Sequence, residues 1–112
     1  MKMKLEIDLQ DLYALRSRQT AATILKSILE NYRVKILLIL NLSPDSGLSY
    51  DIISITYRSY IDPKIVDEII KESESVEEIT QKILEMLEER FNVVVVELFD
   101  GYEYAVAFVE PD

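Results

Sequence analysis

The sequence predicts an α+β domain, a two-layer sandwich of helices on a mostly antiparallel sheet, and three observations carry that expectation. The spacing of apolar residues switches repeatedly between a period of two and a period near 3.6 along the 112 residues. Turn-forming clusters, Ser43-Pro44-Asp45-Ser46-Gly47 and Asp100-Gly101, separate neighbouring β patterns. Helix-opening signals at Asp62-Pro63 and at Ser75 with Glu78 follow the first β pair. A chain of this length is large enough for one core and too short for two, so residues 1–112 are read as a single domain.

In the first element Met3, Leu5, Ile7 and Leu9 alternate with Lys4, Glu6, Asp8 and Gln10, the period of a strand with one wet face. A helix beginning at the same place is the competing assignment, since Leu5, Leu9 and Leu12 also fit helical spacing. From Asp11 the period lengthens. Leu12, Leu15, Ala22, Leu25, Leu29 and Tyr32 share one face, widened by Ile24 and Ile28, and predict a helix over 11–32 capped by Asp11 or Asp8.

Residues 33–42 form a β-rich run that is apolar on both alternating faces, which predicts a strand covered on both sides. The turn cluster ends it, and a second strand over 48–60, carrying Ile52, Ile53, Ile55 and Tyr57, completes an antiparallel hairpin. Asp62 caps the next helix with Pro63 at its first position, where a missing N–H costs nothing. Ile65, Val66, Ile69 and Ile70 form its apolar stripe. Ser73, Glu74 and Ser75 split the helical region in two, because Ser75 and Glu78 have the form of a capping box. Val76, Ile79, Ile83, Met86 and Leu87 give the second piece its buried face. A β-branched run then predicts a strand over 91–99, Asp100-Gly101 suits a type I′ hairpin, and a last strand over 102–109 ends before Pro111.

The order β-α-β-β-α-β-β has first six elements similar to the ferredoxin-like arrangement, with an extra C-terminal strand and the second helix split in two. The similarity lies in element order alone, and a fold shared by many functions transfers no activity.

Composition closes several chemistries. Cysteine and histidine are both absent, which excludes disulfides, thiolate nucleophiles, Ser-His-Asp catalysis and the usual zinc, copper or haem ligands. With 21 acidic and 12 basic residues the net charge is -9, so direct nucleic-acid binding is not expected and a basic protein is the favoured kind of foreign partner. Export is not expected, since Glu6 and Asp8 interrupt the stretch after the basic start. The longest apolar run, residues 36–40, is far below the roughly 20 residues of a membrane span. A soluble cytoplasmic protein follows. The lack of Cys, His and Trp, together with abundant Ile, Glu and Lys, resembles the usage of proteins from hot environments.

The remaining candidate sites are few. Asp8 with Asp45 or Asp51 is the one combination that suits a magnesium ion, although cap and turn roles account for Asp8 and Asp45 more simply. Arg16, Arg18, Lys26 and Arg33 are the only local basic concentration, and a solvated helix face explains it. Glu72, Glu74, Glu77, Glu78, Glu85, Glu88 and Glu89 make the second helical region acidic outside. Tyr57, Tyr60, Tyr102 and Tyr104 lie near strand ends, where tyrosine serves interfaces as well as cores. Neither a phosphate-binding loop nor any other cofactor motif is present, and no catalytic, cofactor or metal residues are assigned.

The functional expectation comes from surplus apolar surface. With helices on one side only, the strand over 33–42 leaves Leu37 and Ile39, and the strand over 91–99 leaves Val93 and Val95, on the sheet face away from the helices. Leu37, Ile39, Val93, Val95, Tyr102 and Tyr104 are therefore expected at an interface between copies of the chain. The expected function is an acidic interaction module acting as a homodimer, without catalysis of its own. The alternatives are a ligand-binding protein with its site at that subunit interface and a carboxylate-based magnesium enzyme.

Overall fold

The computed structural model describes residues 2–6, 21–43, 49–56, 61–99 and 103–112. Its elements are β1 (Lys2–Glu6), α1 (Ala21–Glu30), β2 (Val34–Ser43), β3 (Ser49–Ile55), α2 (Pro63–Glu72), α3 (Val76–Glu88), β4 (Val94–Phe99) and β5 (Tyr104–Pro111). The first element is a strand, which settles the competition with a helix at residues 2–6. The expected start of the long helix, at 11–20, lies outside the described residues, as do the turn at 44–48 and Asp100-Gly101.

One sheet holds all five strands in the order β1-β4-β5-β2-β3. Four strands, β4, β5, β2 and β3, pair antiparallel, and β1 adds to β4 in parallel. The α+β class follows from this. The strand order departs from the ferredoxin-like arrangement, because β5 is inserted between β4 and β2 and β1 sits at the edge.

The helices also occupy both faces, which corrects the expectation of two layers. Side chains along β5 alternate cleanly: Val106 and Phe108 pack with Val66, Ile70, Ile79, Ile83 and Leu87 of α2 and α3. Ala105, Ala107 and Val109 pack with Ala21, Ala22, Ile24, Leu25 and Leu29 of α1. Successive side chains of a strand point to opposite sides, so α1 covers one face and the α2–α3 pair the other.

Two bulges explain why strand parity misleads in β2 and β3. Between Ile36↔Val109 and Leu38↔Phe108, β2 takes two steps where β5 takes one. Ile36 consequently faces α1 while Leu37 and Leu38 both face α2–α3. Between Ile39↔Ser54 and Leu40↔Ile52 the extra residue is Ile53 of β3.

The helix pair is ended as its sequence predicts. The Asp62 carboxylate accepts from the Lys64 N–H at 2.9 Å and Pro63 opens α2. Ser75 caps α3, accepting from the Glu78 N–H at 3.1 Å. The Glu78 carboxylate reaches back one residue further than a capping box requires, to the Glu74 N–H at 3.0 Å. Ser73, buried between the helices, donates its hydroxyl to the Ile69 carbonyl, so the break costs no unsatisfied polar group there.

Candidate functional site

The expected interface residues are distributed through the interior of the chain. Leu37, Val93 and Val95 are buried under α2–α3, and Ile39 is buried under α1, each no more than 3% exposed. They share neither a face nor a route to a second copy. The reason is that helices lie on both faces, α1 over β2, β5 and β4 on the side of Ile39 and the α2–α3 pair on the side of Leu37, Val93 and Val95. Tyr102, Tyr57 and Tyr60 lie outside the described residues.

Tyr104 is half-buried on the α2–α3 face, where its hydroxyl is hydrogen-bonded to the Glu97 carboxylate. Burial, then the Glu97 carboxylate, and to a smaller degree Glu77 at the start of α3, push the phenol above its ordinary pKa. The Phe99 ring lies beside it, with centroids 6.2 Å apart and planes tilted by 58°. Glu97 is the most buried charged residue described, at 5% exposure, and the sequence reading passed over it. The available signal was a carboxylate inside the run Val93-Val94-Val95-Val96-Glu97-Leu98, at a position whose parity matches Val93 and Val95.

Asp8 and Asp45 lie outside the described residues, Asp51 is exposed on β3, and the described residues contain no group of three or more metal-ligating side chains. Glu72, Glu74, Glu77, Glu85, Glu88 and Glu89 are exposed. Glu78 is held below its ordinary pKa by the Glu74 N–H and by Lys82, whose ammonium lies 3.0 Å away. Of the basic group, Arg16 and Arg18 lie outside the described residues, Lys26 is half-buried on α1, and Arg33 is exposed in the turn from α1 to β2.

Arg33 has φ 50, the only left-handed non-glycine residue described. Helices often end on such a residue, usually glycine, since a Cβ there costs roughly 1–2 kcal/mol. Its carbonyl accepts from the Asp112 N–H at 3.2 Å, tying the turn to the end of the sheet.

Beside this turn the α1 layer is incomplete. Ile28 and Tyr32 on one side and Val34, Val94, Val96 and Pro111 on the other line an open groove of about 340 Å³ whose walls are almost wholly carbon. From its start onward α1 buries Ala21, Ala22, Ile24, Leu25 and Leu29 against the sheet. Toward the other end Tyr32 turns outward, 69% exposed, and the sheet below is left partly open. This groove is the described cavity with the most apolar surroundings and the best candidate site. No helix is long and apolar enough to cross a membrane among the described residues. No family model, curated protein or solved structure matches this chain.

Proposed function

We propose that the chain is a small acidic interaction module that works as a homodimer, joined edge to edge through β3. The observation that carries this reading is the character of that edge. β3 is seven residues long and closes one end of the sheet, with no strand on its outer side among the described residues. It holds neither lysine nor proline, and the guards against edge pairing that it does carry are one charge, Asp51, and the bulge at Ile53. Ile52, Ile53 and Ile55 are each partly exposed along it.

Both faces of the sheet are covered by helices, so a second copy gains most by extending the sheet. Two β3 strands related by a two-fold axis run antiparallel and give a closed dimer with five strands from each copy. Light scattering at tens of micromolar tests this: twice the chain mass is expected, and a monomer defeats the proposal. Ser54→Lys places a charge near the end of the edge strand and is expected to give a folded monomer by circular dichroism and scattering.

A further inference from the structure

We propose that the groove beside α1 binds the aliphatic chain of a free fatty acid, with Arg33 holding its carboxylate. This does not depend on the β3 dimer, because no residue of β3 lines the groove.

The shape and walls select the chain. About 340 Å³ is within the size of small-molecule sites. Water in a space lined by valine, isoleucine and proline finds few hydrogen-bonding partners, whereas an alkyl chain loses nothing by entering. Ile28, Val34 and Val94 are each only partly buried and gain cover when the groove fills. Tyr32 is the sole aromatic residue along it, so the groove offers no paired rings to clasp a flat ligand.

The head group follows from charge. Arg33 stands between two lining residues, Tyr32 and Val34, is exposed, and makes no ion pair among the described residues. Lys35 nearby is engaged by Asp112 at 3.5 Å. Glu30 and Asp112 flank the same turn, and the whole chain carries -9. A lone cation pairs with a single carboxylate, and the surrounding negative charge disfavours ligands of higher negative charge more strongly. Arginine also provides a planar two-pronged donor for a carboxylate. Glycine would occupy this left-handed position without strain, so the side chain at Arg33 has a use beyond closing the turn.

The test uses the full chain labelled at its methyl groups, titrated with dodecanoate below the concentration at which it forms micelles. Saturable shifts confined to the methyls of Ile28, Val34, Val94 and Val96 are expected. Arg33→Gly is expected to weaken dodecanoate binding about tenfold, the loss of one charged hydrogen bond, while leaving binding of the neutral dodecanol unchanged. Val94→Trp fills the groove and abolishes both; should that variant not fold, Ile28→Trp on the helix side replaces it. Absent or non-saturating shifts, shifts spread over the β3 methyls, or equal binding by Arg33→Gly and wild type overturn the proposal. Repeating the titration on Ser54→Lys separates it from dimerisation, because binding there is expected to persist.

Discussion

The two faces of the sheet are covered in different ways. Under α2 and α3 lie large side chains, Leu38, Leu40, Val106 and Phe108 against Ile79, Ile83 and Leu87, all at most 2% exposed. Under α1 the side chains are mixed in size, Ala21, Ala22, Ala105 and Ala107 beside Leu25, Leu29, Ile39 and Leu98, and a groove remains near the end of the helix. Among the described residues, two helices with capped ends close one face, whereas α1 covers the other and leaves that groove open. The thinner side is where a ligand finds room, and the thicker side is where stability is concentrated.

That contrast is open to direct attack. The largest expected effect is from Ile39→Glu. Ile39 is fully buried under α1, so the new carboxylate is interred without a partner, and a loss on the order of 4 kcal/mol or more, enough to unfold the domain, is expected in urea melts. A folded variant would mean that α1 lifts away easily and covers its face only loosely.

Adjacent residues of β5 then compare the faces within one strand. Phe108→Ala leaves a cavity under α2–α3 and is expected to cost roughly 3–5 kcal/mol. Ala107→Val forces a larger side chain under α1 and is expected to cost roughly 1–3 kcal/mol by overpacking. A neutral Ala107→Val would show that the alanine contact is not close.

The smallest effect concerns pH. Because the folded state raises the Tyr104 pKa, the neutral phenol contributes stability that is complete below its ordinary value of 10.0 and is lost as pH rises above it. Tyr104→Phe is expected to flatten this alkaline decline. Tyrosinate absorbance should show a late-ionising phenol that Tyr104→Phe removes. Simultaneous ionisation of the tyrosines would remove the Glu97 contact from the account.

Much of the local structure was legible beforehand. The caps at Asp62 and Ser75, proline at the start of α2 and the split at Ser73 rest on interactions within a few residues, and the β2–β3 hairpin pairs strands adjacent in the sequence. The alternation in β4 and β5 was read correctly as well, since no bulge disturbs their pairing. The candidate site fared worse. Arg33 stood out only as one of four basic residues, and the groove joins residues from both halves of the chain.

The sequence by itself determined the class of domain, where most of the described strands and helices fall, and the excess of apolar residues on both sides of the central strands. Short-range forces decide these: backbone dihedral preferences, end-capping hydrogen bonds and the period of burial. Only the tertiary structure decided which layer covers each face. The side taken by the handed crossover from β1 to the parallel β2 depends on strand order, which long-range pairing sets, and one extra residue at Leu37 moves the side chains beyond it to the opposite face. An apolar face is thus written in the residues, but its cover is chosen by chain path, and here that path places α1 over Ile39 and leaves the open ground beside Arg33.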